Sequence, residues 1–254
     1  MRSVYQYRDL IWNLVMRDLK VRYRRSAIGF LWSMLQPLLT MVVLAIVFSS
    51  IFRFDILNYP VYALAGLLFW NFFQQSIVVS MNSLRTHAYI LQKLPVPMAV
   101  FPIATVLSGL VHLLLAMVPM AAILIYTDHR IGTSLFFLPV SIFVVALFTL
   151  GMGLLLAPLA VFFNDVVELV TVILTLLFYM TPIIYPKDIV PDRFQAFVHY
   201  NPTRSILEIF RDPIYFAKIP PLTHLSLSLS VALIAFVIGA FAFRRSVDRI
   251  PFYL

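Results

Sequence analysis

The sequence has no cysteine among its 254 residues, and only 12% of them are Asp, Glu, Lys or Arg. The absence of cysteine excludes a disulfide framework and thiolate chemistry. A soluble domain carries about 25% charged residues and about 45–50% apolar ones, whereas this chain is 62% hydrophobic. The scarcity of charge therefore excludes a water-soluble globular fold.

Motifs for nucleotide hydrolysis and for metal binding are also missing. None of the four lysines follows a glycine, so the Gly-Lys-Ser/Thr step of a phosphate-binding loop is absent. The five histidines include no pair three or four residues apart, which is the spacing of a metal pair on a helix. We therefore expect no enzymatic activity, no metal and no cofactor in this chain.

What the chain has instead is long uncharged runs. They cover residues 26–52, 56–84, 94–127, 131–164, 169–186 and 219–243. A helix needs about 20 apolar residues to cross a hydrocarbon core about 30 Å thick. We predict an all-α membrane protein with six transmembrane helices in one domain, residues 1–254.

Lys and Arg concentrate on one side of the predicted bundle. They lie in residues 1–25, in the connection between the second and third spans, and after the sixth span. Because cytoplasmic segments carry this excess, we expect a multi-pass membrane protein with both termini in the cytoplasm. The basic residues adjoin membrane spans, which favours attraction to anionic lipid headgroups over nucleic-acid binding.

Residues 1–25 combine an apolar helical face with a basic continuation. Tyr7, Leu10, Ile11 and Leu14 recur at three- and four-residue steps. This spacing predicts an amphipathic helix lying in the cytoplasmic interface. A plain basic anchor for the first span is the alternative.

The connection between the second and third spans carries a short segment, residues 85–94, that is closed by Pro95 and Pro97. Proline ends a helix because it lacks a backbone donor and restricts the residue before it. We predict a short cytoplasmic helix there that a partner protein contacts, with a solvated loop as the alternative. The candidate contact residues are Arg85, Tyr89, Ile90, Leu91 and Lys93.

Pro182 and Pro186 forbid a regular helix at the end of the fifth span. Beyond them, a capping residue near a proline predicts short helices at about residues 192–200 and about residues 202–217. We predict that residues 186–218 form an extracytoplasmic gate segment. The candidate gate residues are Tyr185, Asn201, Pro202 and Arg211.

Several segments in combination resemble the membrane subunit of polysaccharide ABC exporters. They are residues 17–26 (RDLKVRYRRS), 29–32 (GFLW), 36–39 (QPLL), 151–154 (GMGL), 163–166 (FNDV), 181–186 (TPIIYP) and 201–202 (NP). The resemblance extends over nearly the whole chain, and it is specific because these segments occur together.

The resemblance implies a function. Two copies of such a permease form a pore in the bacterial inner membrane, and two copies of a separate ATPase, which binds ATP and Mg²⁺, drive transport of a lipid-linked polysaccharide. We expect residues 85–94 to contact this ATPase, because the predicted helix is cytoplasmic, short and bounded by Pro95. O-antigen is the favoured substrate, with capsular polysaccharide, teichoic acid or a drug as alternatives. A secondary transporter is less favoured because no carboxylate lies in the six runs.

The predicted channel wall is aromatic and mildly polar. Thr171, Thr175 and Tyr179 recur at four-residue steps and so share one face of the fifth span. Aromatic rings attract the C–H faces of sugars without a strong binding point, so we also predict channel contacts by Phe48, Phe52, Trp70 and Phe178. Lipid-facing or core positions are the alternative for each of these rings.

Overall fold

The computed structural model describes residues 6–22, 28–50, 57–130 and 132–253, and within them it contains helices and no strand. The helices are α1 (Arg8–Arg22), α2 (Trp32–Ser50), α3 (Tyr59–Thr86), α4 (Ala88–Lys93), α5 (Val100–Tyr126), α6 (Leu138–Phe162), α7 (Val166–Met180), α8 (Asp192–His199), α9 (Pro202–Arg211) and α10 (Leu222–Ser246). The predicted all-α fold is confirmed. Phe52 lies outside the described residues.

Each of the six predicted runs contains a helix, but the helices differ in length. Among the described residues, α3, α5, α6 and α10 are long and apolar enough to cross a membrane. The helix of the first run, α2, has 19 residues, and that of the fifth run, α7, has 15. At 1.5 Å per residue, α7 is only about 22 Å long.

One predicted helix boundary is wrong, and one predicted helix changes type along its length. The helix predicted at residues 85–94 begins only at Ala88, because α3 continues through Thr86 and places Arg85 in its own last turn. The helix predicted at about residues 202–217 is helical from Pro202 to Phe216, but after Arg211 it changes from the α-helix α9 to a π-helical turn, Asp212–Phe216. Pro213 explains the change, since it cannot donate the next α-helical hydrogen bond.

Helix α3 is the centre of the bundle. In its most apolar stretch, 72% of the residues are buried within the protein, against 17% in α10. The central core consists of α3 side chains such as Phe69 and Phe73, packed against Phe148 of α6 and Phe210 of α9. Helices α6 and α10 cross closely, because a Cβ at Gly151 would lie 2.5 Å from the backbone of Ala235.

A second cluster closes one end of the bundle, which we call the basal end. It brings Leu14 of α1 together with Leu84 of α3, Phe101 of α5, Leu154 of α6 and Phe243 of α10. The short helix α4 lies at the same end, whereas α8 and α9 lie at the opposite end, the distal end. The bundle thus has a basal end with α1 and α4, and a distal end with the segment between α7 and α10.

Candidate functional site

The chain is not helical directly after α7. Residues 181–185 connect α7 to the distal segment, and Thr181, Ile183 and Ile184 in this stretch are buried. Buried carbonyl groups outside a helix need donors from elsewhere. The structure supplies them from three side chains, which we call the carbonyl cradle: Tyr59, Tyr62 and Arg211.

Arg211 is the central member of the cradle. Its side chain comes from the last turn of α9 and is only 4% exposed. Nη1 donates to the Pro182 carbonyl at 2.8 Å and Nη2 donates to the Ile183 carbonyl at 2.6 Å. The guanidinium also lies over the Tyr62 ring, 3.9 Å from its centroid, so carbonyl dipoles and an aromatic face surround the buried charge.

The two tyrosines of α3 donate hydrogen bonds to the other carbonyl groups of the segment. The Tyr59 hydroxyl donates to the Ile184 carbonyl at 2.9 Å. The Tyr62 hydroxyl lies 2.9 Å from the Tyr185 carbonyl and 3.3 Å from the Pro182 carbonyl. All four carbonyls from 182 to 185 therefore have a side-chain donor on α3 or α9.

The absence of a side chain at Gly66 lets the cradle lie against α3. A Cβ there would collide with Nη2 of Arg211 and would come within 2.7 Å of the Ile183 carbonyl oxygen. The close approach of α3, α9 and the unwound segment thus depends on glycine at this position.

Asn201 holds the start of α9 to the same segment. It is the N-cap of α9, and its side-chain oxygen accepts from the Thr203 backbone N–H at 3.0 Å, as the sequence predicts. Its amide donates to the Thr181 hydroxyl at 2.9 Å. Among the predicted gate residues, Asn201 and Arg211 contact residues 181–185 and Tyr185 lies within them. Pro202 is exposed in the first turn of α9.

A group of ionisable side chains borders the cradle. They are Lys187, Glu208, Asp212 and His224, and they line a cavity of about 190 Å³. Burial, followed by the charge of Glu208, raises the pKa of Asp212 to about 6, against the pull of His224, Arg211 and Lys187 in the other direction. Asp212 therefore keeps its proton to a higher pH than an ordinary aspartate does.

The predicted channel residues fall into two groups. Thr171, Thr175 and Tyr179 are exposed along one face of α7, and both threonine hydroxyls donate to the carbonyl four residues earlier. Trp70 is only 2% exposed, and its ring meets Phe178 edge-on at 5.5 Å. Trp70 therefore supports α7 from the core and presents no surface of its own.

The remaining predicted channel residue with described backbone, Phe48, lies near the end of α2. The predicted gate residue Tyr185 reaches back to α7, where its hydroxyl donates to the Tyr179 carbonyl at 2.7 Å. The α7 stripe and the gate segment are thus joined directly.

At the basal end, α4 presents a mixed surface. Tyr89 is 68% exposed, and Lys93 lies one turn later with its ammonium 3.9 Å from the centre of the Tyr89 ring. Ile90 and Leu91 point the other way and pack against the basal cluster. Of the contact residues predicted on α4, Tyr89 and Lys93 therefore form its outward surface, and Ile90 and Leu91 belong to its packed side.

Arg85 has a structural contact. Its guanidinium donates to the Asn164 side-chain oxygen at 2.7 Å, in the turn between α6 and α7. It thus ties the end of α3 to the start of α7 and does not belong to the exposed face of α4.

Helix α1 packs on the bundle through its predicted apolar face. Leu10, Ile11 and Leu14 join the basal cluster, while Trp12 on another face is 63% exposed. The Tyr7 hydroxyl donates to the Pro95 carbonyl at 3.1 Å, directly after α4. Helix α1 and the α4 connection are therefore attached to each other.

His87 reinforces this junction. Nδ1 lies 2.7 Å from the Ser83 carbonyl, and Nε2 contacts the Arg17 guanidinium of α1. A carbonyl needs a donor and a guanidinium needs an acceptor, so the neutral Nδ1–H tautomer fits both partners. Burial lowers the pKa of His87 and favours the same neutral form.

Sequence reasoning missed a groove along α3 whose wall carries several carboxamides. The groove has a volume of about 1090 Å³ and lies between α3 and α5, with α1 at its basal mouth and with Gln36 of α2 and Thr171 of α7 also in its wall. Its α3 wall includes Asn71, Gln74, Gln75 and Asn82, and Ser108 and His112 of α5 face them. The spacing of these amides within the run 56–84 was the available signal, because it places them near one helix face.

Known proteins are similar to this chain over most of its length. Residues 9–215 match the family described as ABC-2 type transporter. The O-antigen export system permease protein RfbA of Klebsiella pneumoniae is 32% identical over 205 residues, 80% of this chain and 79% of that protein. The protein of the same name in Myxococcus xanthus is 31% identical over 249 residues, 96% of this chain and 95% of that protein. The polysialic acid transport protein KpsM of Escherichia coli is 20% identical over 226 residues, 87% of this chain and 88% of that protein.

Proposed function

Because this chain belongs to the ABC-2 type transporter membrane family, we propose that it is the channel-forming subunit of a polysaccharide exporter. Its substrate is a lipid-linked polysaccharide, with O-antigen preferred. The observation that carries this proposal is the 31–32% identity to O-antigen export permeases over 80% or more of the chain. The chain transports and does not catalyse.

The energy comes from a partner chain. Since the sequence has no phosphate-binding loop, ATP and Mg²⁺ are bound by a separate ATPase. Two copies of this chain and two ATPase subunits form the exporter. The basic basal end faces the cytoplasm of a bacterial inner membrane, α1 lies at the lipid interface with Trp12, and the exposed Tyr89–Lys93 face of α4 contacts the ATPase.

The chain crosses the membrane six times. Helix α7 alone is shorter than the hydrocarbon core of about 30 Å, and residues 181–185 complete its crossing. The carbonyl cradle supports this step, because non-helical backbone at membrane depth is stable only where protein groups satisfy it. The segment from residue 186 to residue 218 then lies on the extracytoplasmic side as a gate.

The channel lies between the two copies. The exposed face of α7 with Thr171, Thr175 and Tyr179 forms its wall in each copy. Phe178 contributes next to Tyr179, and Trp70 holds Phe178 from behind. Stacking on rings permits sliding of a glycan where tight polar contacts would hold it.

Capsular polysaccharide is the second candidate substrate. It is favoured by the similarity to the polysialic acid transport protein KpsM, which covers 87% of this chain. The lower identity of 20% places it behind O-antigen.

Export in cells tests the proposal. A strain that lacks its own O-antigen permease receives this chain and its co-encoded ATPase, and surface glycan is measured with a glycan-specific antibody. We expect surface glycan to appear only when both chains are present. Export with this chain alone, or glycan retained inside with both chains in a matched glycan strain, would contradict the proposal.

A further inference from the structure

The cavity beside the carbonyl cradle, which we call the distal cavity, has charged side chains of both signs in its wall. Its volume is about 190 Å³, and its ionisable lining residues other than Tyr62 are Lys187, Glu208, Arg211, Asp212 and His224. Two of these charges already have partners within the chain. The Arg211 guanidinium donates to two carbonyls of the unwound segment, and Glu208 pairs with Arg204 at 2.8 Å.

Asp212 and Lys187 are the lining residues whose charge is left over. Among the described residues, neither side chain makes a hydrogen bond or an ion pair. Asp212 is partly exposed, so a ligand in the cavity can reach its carboxylate. Burial, followed by the charge of Glu208, raises the pKa of Asp212 to about 6, which shows that its ionised form lacks sufficient stabilisation within the chain. A cationic group in the cavity would supply it.

Helix α10 places the distal cavity at the level of lipid headgroups. His224, which lines the cavity, lies in the first turn of α10, and Arg244 lies in the last turn. The sequence between them has no Asp, Glu, Lys or Arg. From residue 224 to residue 244 the helix rises about 30 Å, which is the thickness of the hydrocarbon core. His224 and the cavity therefore lie at the boundary between acyl chains and headgroups.

Apolar side chains continue from the cavity to the start of α10. Phe216 lines the cavity, and it is exposed, as are Ile219 and Leu222. Exposed apolar side chains at this depth match the acyl-chain boundary of a bilayer, where their contact with water is reduced. The surroundings of the cavity therefore favour a lipid over a soluble ligand.

The wall of the cavity also selects among lipid headgroups. A purely anionic headgroup would be repelled by its two carboxylates. A choline headgroup is recognised by a cage of aromatic faces, but the face of Tyr62 is already covered by Arg211, 3.9 Å from the ring centre, and Phe216 is the other aromatic residue of the wall. A primary ammonium, in contrast, has three N–H donors for a carboxylate.

We propose that the distal cavity binds a phospholipid headgroup with a primary ammonium, a phosphoethanolamine, in which Asp212 accepts from the ammonium and Lys187 contacts the phosphate. The site goes beyond the export function and does not depend on which glycan is carried. It would attach the gate segment to the outer leaflet, because the π-helical turn that begins with Asp212 directly follows α9.

Ethanolamine and choline phospholipids with the same acyl chains test the ammonium contact, because the two lipids differ only in methylation of the nitrogen. The full chain is placed in nanodiscs of either lipid, and thermal unfolding is followed at a pH well above the pKa of Asp212. We expect wild type to melt about 3–5 °C higher in ethanolamine lipid, and Asp212→Asn to melt equally in both lipids. Asp192→Asn on α8, which changes an exposed distal aspartate outside the cavity, should keep the wild-type difference.

Equal melting of wild type in the two lipids would overturn the proposal. A difference that persists in Asp212→Asn would overturn it too, since the lipid would then act elsewhere on the chain. Soluble phosphoethanolamine added to choline nanodiscs separates a membrane lipid from a free ligand. Protection equal to that by the ethanolamine lipid would overturn the assignment to a lipid.

Lys187→Gln tests the phosphate contact. Because both lipids carry the phosphate, this change should weaken the binding of both and leave the preference for ethanolamine intact. Apparent affinities are taken from native mass spectra of the purified full chain titrated with each lipid. We expect a loss of roughly threefold for both lipids, as for a partly exposed ionic contact. Wild-type affinities in Lys187→Gln would overturn the proposed site, which assigns the phosphate to this residue.

Discussion

Replacing Arg211 by Met should detach the unwound segment from the bundle. The guanidinium is buried and bonds two carbonyls, of Pro182 and Ile183, that have no helical partner. Leaving a buried acceptor unsatisfied costs about 1–3 kcal/mol, and the contact with the Tyr62 ring is worth about 2 kcal/mol when desolvated. Methionine has no charge to bury, and the desolvation cost that it avoids offsets part of this loss. We therefore expect a net destabilisation of about 2–4 kcal/mol.

The assay is thermal unfolding of the detergent-purified complex. A destabilisation of this size lowers the melting temperature by on the order of 10 °C in a chain of this length. Arg211→Lys should recover part of the loss, because an ammonium keeps the charge but cannot reproduce the planar two-carbonyl geometry. Export should fall in the same order as stability.

Arg204→Met is the matched control on the same helix. Its guanidinium pairs with Glu208 at 2.8 Å, but both side chains are partly exposed. Partly exposed pairs of this kind contribute about 0.3–0.5 kcal/mol, so this variant should melt within about 2 °C of wild type. An Arg211→Met variant as stable as this control would refute the role assigned to the cradle.

Four further outcomes follow from the same geometry. Gly66→Ala should lower the melting temperature and export together, because its Cβ collides with the cradle. A wild-type melting temperature and wild-type export would show that the cradle does not depend on glycine at this position. Tyr89→Asp should reduce glycan-dependent ATP hydrolysis severalfold without loss of assembly, while Gln92→Asp on the same helix serves as control; full coupling in Tyr89→Asp would place the ATPase contact elsewhere. The pKa of Asp212 is raised to about 6 from an ordinary value of 3.8, so between these pH values the folded state holds a proton that the unfolded chain has released. The free energy of unfolding should therefore fall as pH rises from about 4 to about 6, and this dependence should flatten in Asp212→Asn. The same pH dependence in wild type and variant would contradict the assignment. Thr175→Lys should block export while the complex still assembles, and wild-type export from it would remove α7 from the channel wall.

The positions of the helices could be predicted from sequence because charges and prolines bound the apolar runs. The cap at Asn201 is a local signal and was predicted for the same reason. The cradle could not be predicted, since Tyr59 and Tyr62 meet carbonyls more than 100 residues later in the chain. No local pattern records such a contact.

The faces of the helices were harder to predict than their positions. In a soluble helix, polar residues mark the exposed side, but in a membrane helix lipid and protein are both apolar surroundings. Trp70 and Phe178 therefore looked equivalent as candidates, although only Trp70 is buried in the core. The amides of α3 do break this uniformity, and their spacing was readable because polar groups in an apolar run must face protein or water.

Helix α3 connects all of these regions. Tyr62 and Gly66 meet the unwound segment at the distal end, Asn71 to Asn82 line the groove, and Arg85 joins the turn before α7. The helix has 28 residues, about 42 Å at 1.5 Å per residue, and no proline interrupts it after Pro60. The groove and the cradle are thus attached to one uninterrupted helix that is packed in the core. Helix α3 therefore joins the basal junction to the segment 181–185 through one continuous element, because Tyr59 and Tyr62 bond carbonyls of that segment.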